Sequence, residues 1–382
     1  MEYNERNYSI LTQKNNTEIL FTLKNFPVSM SCVDEKFNDE KYLDMIFCIC
    51  KDTGLIYLKK YPLLKDIYIT PHNSTSYGNI WKNLFENISD KVYNIFNELE
   101  FSLLEIGGGS LLLASKILDN CKNIQNYDIY EKNSSLKHIN NPKITLYEEY
   151  FTNNTNIDKK YDIIIHSHVL EHVWDCSEFM NCISNINHNY HLFAIPNLEE
   201  QFSKKFPNSF NFEHNVLITE PYVDVMLHNN NYEIILKEKY LDHSIIYITK
   251  KRDIERDNQE LIFPNKYKMY KKLAIDYFSY YNDLIIYLNN QIDLYKGKIY
   301  LFGAHIFSQI LIHFGLNTSK IINILDNSKE KTNLKLYGTK LTIKLPIIIE
   351  NNECAVILKV SSYQEEIKNQ LLQINSNVKI IE

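Results

Sequence analysis

A short apolar run, Phe101-Ser102-Leu103-Leu104-Glu105-Ile106, stops on three consecutive glycines, Gly107-Gly108-Gly109, and Leu111 to Leu118 then carries apolar residues at helical spacing. A strand that turns through glycine into a helix commits this part of the chain to α/β crossovers, because a parallel neighbour can be reached only by a long connection. The following residues keep that rhythm. Asn126 to Tyr130, Lys143 to Tyr147, Tyr161 to Ser167, Tyr190 to Ile195, Glu233 to Glu238 and His243 to Thr249 read as strands, with helices at Cys176 to Ile186 and Pro221 to Leu227. The alternation predicts a mainly parallel, Rossmann-like sheet. A helix is predicted before it from Ile80 to about Leu99, with Trp81, Leu84, Phe85, Ile88, Val92, Tyr93 and Phe96 on one face.

At 382 residues the chain exceeds one ordinary core, so further units are expected on either side. Asp44 to Tyr57 reads as a hairpin turning at Asp52-Thr53-Gly54. Beyond a charged patch from Lys250 to Asp257, Lys266 to Asn290 reads as one long amphipathic helix with Leu273, Tyr277, Leu284 and Leu288 as its stripe. A second strand–glycine–helix opening follows: strand Ile299 to Phe302, Gly303, helix Ile306 to His313, and then strand Ile321 to Leu325 ending at Asp326. The expected organisation is a small N-terminal domain over 1–80, the sheet domain over 81–250, a linker and long helix over 251–296, and a smaller C-terminal α/β domain over 297–382.

Charge excludes one class of partner. With 41 Lys and Arg against 47 Asp and Glu, net −6, the chain lacks the clustered cations that bind a phosphate backbone, so no nucleic acid is expected. No apolar run reaches the ~18 residues of a membrane span, and Met1-Glu2-Tyr3-Asn4-Glu5-Arg6 opens no secretory signal. Seven scattered cysteines suit free thiols. The expectation is a cytoplasmic protein, monomer or homodimer, without membrane insertion.

Glycines at a strand-to-helix turn let a ligand approach the backbone at the positive end of a helix, which suits a pyrophosphate or an aminocarboxylate. The Gly-x-Gly-x-x-Gly spacing of dinucleotide sites fails, because Leu112 takes its last position. Glu105 places an acid just before the glycines. Glu131 follows the next strand, where an acid ~20 residues on accepts both ribose hydroxyls.

Together with Tyr161-Asp162-Ile163-Ile164-Ile165-His166-Ser167-His168-Val169-Leu170-Glu171-His172, these residues resemble the class I S-adenosylmethionine-dependent methyltransferases. The resemblance implies S-adenosylmethionine as cofactor, held by Glu105, Gly107, Gly108, Gly109, Glu131, His168 and His172. It narrows downstream. His191-Leu192-Phe193-Ala194-Ile195-Pro196-Asn197, then Phe212-Glu213-His214-Asn215 and Leu241-Asp242-His243-Ser244, look like the C-methyltransferases of nucleotide-linked keto-sugars. Tyr300-Leu301-Phe302-Gly303-Ala304-His305, Asp326-Asn327, Lys331 and Tyr337-Gly338-Thr339 resemble that family's C-terminal domain. The family's N-terminal zinc knuckles are degenerate here. Cys50 pairs with Thr53 where a second cysteine belongs, and Cys32 stands alone, so no metal is expected.

The chemistry implied is removal of a proton beside a ketone, for which His214 is the expected base with Glu213 orienting it. His243, Tyr77 or His72 is expected to steady the enolate oxygen. The acceptor is expected to be a nucleotide-linked sugar. The alternative within the fold is O-methylation of a surface-glycan sugar or its decoration. An NAD oxidoreductase is disfavoured by the incomplete glycine spacing, and a non-catalytic binding protein by the intact acids and His214.

Overall fold

The computed structural model describes residues 1–69, 78–132, 141–252 and 260–382. Tyr77 and His72 lie outside the described residues, as do positions 253–257 of the charged patch.

The N-terminal unit is an antiparallel sheet of β1 (Thr17–Pro27), β2 (Tyr42–Cys50) and β3 (Ile56–Leu58), with the expected hairpin between β2 and β3. Helix α1 (Asn79–Phe96) leads into β4 (Phe101–Ile106), α2 (Leu112–Asn120), β5 (Ile124–Tyr130), β6 (Ile144–Tyr147), β7 (Tyr161–Ser167), α3 (Cys176–Asn185) and β8 (His188–Pro196). A two-residue strand, β9 (Val216–Leu217), then precedes α4 (Glu220–Asn229), β10 (Tyr232–Tyr240) and β11 (Ser244–Lys251).

The central sheet runs β10-β11-β8-β7-β4-β5-β6, with only β11 antiparallel to its neighbours. The strand expected over His243 to Thr249 is β11, which inserts between β8 and β10, so β10 is the edge and His243 lies buried just before β11. The strand order reverses between β4 and β7, and in open α/β sheets that reversal leaves a crevice at the carboxyl ends of the two strands.

Helix α1 packs Leu84, Phe85, Ile88, Val92 and Phe96 onto the sheet, as its stripe predicts. Tyr93 departs from the expected face and is exposed, because its ~100° step from Val92 carries it off the stripe. The long helix α5 (Tyr267–Leu294) buries Tyr270, Ala274, Tyr277, Tyr281, Leu284, Ile285, Leu288 and Ile292. Its Tyr277 and Phe278 meet Phe21, Phe47, Phe202 and Phe210, an aromatic cluster that binds the N-terminal sheet to the segment after β8.

The C-terminal unit is a parallel five-stranded sheet of β12 (Lys298–Phe302), β13 (Ile321–Leu325), β14 (Ile343–Lys344), β15 (Cys354–Ile357) and β16 (Lys379–Ile381), in the order β14-β13-β12-β15-β16. Helix α6 (Ile306–His313) follows β12. The units are interwoven. β9 pairs antiparallel with β3, and Lys335–Leu336 pairs with Cys32–Val33. Among the described residues no helix is long and apolar enough to cross a membrane.

Candidate functional site

The crevice opens into one cavity of about 1200 Å³, lined from all three units. At one end lies the glycine turn. Gly107 has φ +75° and Gly109 φ +53°, left-handed values that glycine adopts without strain. A Cβ on Gly107 would stand 2.6 Å from Val169 Cγ2, and one on Gly108 would stand 2.7 Å from Ile129 Cγ2. Gly107→Ala is therefore expected to destabilise the protein by ~1–3 kcal/mol. The urea midpoint reads this, and an unchanged midpoint would refute the strain.

Two acids frame the turn differently. Glu131 Oε2 accepts the Gly109 N–H at 2.8 Å, which draws its carboxylate back over the glycines. Glu105 lies beneath them, 2% exposed, and accepts from the Tyr127 hydroxyl at 2.5 Å. Burial pushes the Glu105 carboxyl up to about 7, against the lowering effect of that hydrogen bond. Glu105 thus shapes the turn from below, while Glu131 stands at its rim.

A second group sits where β7 and β11 end and begin. His168 has φ +56°, and its N–H donates to the Ala194 carbonyl at 2.8 Å. Its Nδ1 is hydrogen-bonded to Ser167 Oγ and its Nε2 to Ser244 Oγ, both at 3.0 Å. Ser244 Oγ in turn meets His243 Nδ1 at 2.7 Å. Both imidazoles present to the Trp81 ring, with centroids at 4.5 and 4.6 Å. His168 and His243 are thus linked through Ser244, and both line the cavity that holds the glycine turn. His166 is core, stacked on Phe193 at 4.9 Å.

The third group contains His172, Glu213 and His214. Asn211 Oδ1 accepts the backbone N–H groups of Glu213 (2.7 Å) and His214 (2.9 Å), an Asx turn that locks the loop. Asn215 Nδ2 donates to the carbonyls of His172 (2.8 Å) and Val173 (2.6 Å), tying that loop to the residues after β7. The His172 and His214 rings are 5.2 Å apart, and Tyr68 Oη is hydrogen-bonded to His172 Nδ1 at 3.2 Å. The His214 Nδ1 is buried and has no hydrogen-bond partner among the described residues. Burial pushes the His214 pKa down to about 3, and the nearby His172 adds to this while Glu213 opposes it. His243 is likewise pushed down, to about 4, by burial. Both rings are neutral near pH 7.

The far wall is C-terminal. Gly303, at φ +99°, turns the chain after β12, and Ala304 N–H donates to Asp326 Oδ2 at 2.9 Å. Lys331 Nζ bonds the same oxygen at 3.2 Å. Of the three N-terminal cysteines, Cys32 packs against Ala304 with its thiol 3.5 Å from that carbonyl, while Cys48 and Cys50 sit on β2.

Every expected site residue that is described lines this cavity: Glu105, the three glycines, Glu131, His168, His172, Glu213, His214 and His243. Sequence reasoning missed Asn211, Tyr68 and Ser244. Asn211 carried a legible signal, since an Asn two residues before an acid is an Asx-turn pattern. Tyr68 and Ser244 carried none, because their roles come from elements far apart in the chain.

Residues 80–237 match a family model described as a methyltransferase domain. No curated protein matches the chain. Among solved structures, an S-adenosylmethionine-dependent methyltransferase from Clostridium acetobutylicum is similar at 12% identity, over 46% of this chain and 92% of that one, with TM-score 0.35. The Burkholderia thailandensis 1,6-didemethyltoxoflavin-N1-methyltransferase is similar at 9% identity, over 46% and 82%, with TM-score 0.36. Human N-acetylserotonin methyltransferase is similar at 13% identity, over 50% and 59%, with TM-score 0.38. The family match falls on the segment that carries this sheet order and this glycine turn, residues 80–237 of the 382.

Proposed function

We propose that the protein methylates the carbon beside the ketone of a nucleotide-linked keto-sugar, with His214 as the base. The observation that carries this reading is the His214 imidazole itself, on a loop that Asn211 and Asn215 hold, in a cavity that it shares with the glycine turn. The cavity, at about 1200 Å³, exceeds the ~300–1,000 Å³ of a single-ligand site, which supports a donor and a large acceptor bound together.

The bare glycines and the Glu131 carboxylate suit the aminocarboxylate and ribose of S-adenosylmethionine. The donor supplies a sulfonium methyl that is already electrophilic. His214 takes the proton from the α-carbon, and the Glu213 carboxylate beside it offsets the positive charge that the ring acquires. The C–H electron pair then forms the new C–C bond as the S–CH3 bond breaks, so the sulfur leaves neutral as a thioether. His243, joined through Ser244 to His168, is the donor to the enolate oxygen in this reading. On the C-terminal wall, Lys331 offers a cation to a phosphate, and the Gly303 turn offers close backbone approach.

Incubation with S-adenosylmethionine and a nucleotide-linked 4-keto-6-deoxy sugar in deuterated water, followed by mass spectrometry, tests the reading. Methyl gain on carbon, or deuterium uptake beside the ketone, supports it. A methyl gained on oxygen would replace it with the O-methyltransferase reading, and neither gain nor exchange would sink it for this sugar class. Glu131→Ala is expected to weaken donor binding by roughly 10–100-fold, the worth of charge-assisted hydrogen bonds to ribose. Titration calorimetry with S-adenosylhomocysteine measures it, and unchanged affinity would remove Glu131 from the ribose.

A further inference from the structure

One cluster in the cavity is more than the base mechanism uses. Glu171, His172 and His214 each bring a ligand atom to within 4.8 Å of the others. Glu171 is wholly buried at the end of the β7 turn, and neither of its carboxylate oxygens has a hydrogen-bond partner among the described residues. His172 Nε2 lies 3.6 Å from its Oε1. A buried carboxylate left in that condition calls for an ion, a water or a proton to account for it.

We propose that Glu171, His172 and His214 form a site for one divalent first-row transition cation, and that an ion there excludes His214 from acting as a base. Three arguments carry it. Two imidazoles and one carboxylate are the donors such cations prefer, whereas calcium and magnesium prefer oxygen alone. The outer contacts suit ligating histidines: His172 Nδ1 meets the Tyr68 hydroxyl at 3.2 Å, which orients that ring by one nitrogen, and His214 Nδ1 has no hydrogen-bond partner among the described residues. The cluster also lines the open cavity, which leaves coordination positions for water. Ligand atoms within 4.8 Å need only small side-chain rotations to close on an ion at ~2.0–2.2 Å.

The exclusion follows from electron counting. A neutral imidazole has one basic lone pair, and that of His214 can hold either the ion or the substrate's proton. This second half rests on the base reading above; the binding half does not. The experiment separates them. Full-length protein, stripped with chelator, is titrated with Co(II) alone and followed by visible absorption and equilibrium dialysis. One ion per chain is expected, with ligand-field bands and no sulfur charge-transfer band, which would betray the cysteines instead. Glu171→Gln, which keeps the side chain's volume, is expected to lower affinity at least ~100-fold, more than loss of an outer contact would; His172→Gln is a second variant with the same expectation. Absence of a bound ion, or binding indifferent to both variants, overturns the site. Methyl transfer is then assayed with and without Co(II). Inhibition reversed by chelator supports the exclusion, and activation by the ion overturns it. Failure of the sugar reaction without metal would fault the functional reading and leave the ion titration standing.

Discussion

Replacing His214 with alanine is expected to lower turnover by ~10²–10⁴-fold while donor affinity holds, the loss typical of a missing acid or base. The selectivity follows from placement. The His214 loop is held by Asn211 and by Asn215 against the residues after β7, whereas Glu131 is bonded to the glycine turn. The substitution removes a ring whose Nδ1 bonds nothing, so no hydrogen bond of that nitrogen is lost from the fold. Turnover is read by methyl-donor consumption under saturating substrate, and affinity by calorimetry with S-adenosylhomocysteine. A variant as fast as the parent would place the base elsewhere. Equal losses of binding and turnover would show that the loop, rather than the ring, had been damaged.

The second large effect is on acid stability. His166, His188 and His191 lie together inside the sheet domain, with ring centroids 5.0 Å (His166–His191) and 6.3 Å (His188–His191) apart. Burial pushes His166 down to about 3 and His188 to about 4, and His191 is held well below the ordinary range by burial and by its two histidine neighbours. Because these pKa values are depressed in the folded state, the unfolded chain takes up protons first as pH falls below ~6.5. Stability is therefore fully present above pH ~6.5 and is lost progressively toward pH 4. His188 alone accounts for about 3 kcal/mol across that window. The buried carboxyls Glu105 and Glu171 act in the opposite sense, since their folded pKa values are raised to about 7 and about 8. The three core histidines outnumber them, and native proteins hold only ~5–15 kcal/mol in all. Thermal midpoints measured from pH 7.5 to 4.5 are expected to fall steeply below 6.5. His191→Phe, which puts an apolar ring against Phe193 at the same place, is expected to flatten the decline. A midpoint independent of pH, or an unchanged decline in the variant, would sink the account.

Much of the sheet domain was legible because its signals are local. β7 and α6 begin and end where the residue pattern puts them, and the glycine turn forms at Gly107 to Gly109. Period and glycine placement are properties of neighbouring residues, so a linear reading finds them. The place of β11 was not legible. Its insertion beside β8 depends on a hairpin with β10 folding back across the sheet edge, and no residue in His243 to Thr249 states that. The site divides the same way. Glu131 and the glycines come from one strand–turn–helix–strand run and were read correctly as neighbours, with a hydrogen bond now between them. His168 was read as a cofactor residue from its place after β7, while its hydrogen bond to Ser244, 76 positions away, had no local signal. Glu171 stood in plain view in the sequence as a helix-start acid. Its burial, and hence its chemistry, depends on the loop that Val216 lays over it through the Glu171 carbonyl.

That same short strand bears on how the chain is made. β9 completes the N-terminal sheet by pairing with β3, although more than 150 residues separate them. A ribosome adds ~5–20 residues each second, so for some 10–30 s of synthesis Ile56–Leu58 waits as an open edge with its backbone groups unpaired. An open edge of apolar residues is an invitation to the wrong strand. The nascent protein thus has a stretch of its own biosynthesis in which the first domain is shut only by what a later one brings. The loop that carries His214, next to β9 in the chain, is drawn into place as that edge is closed.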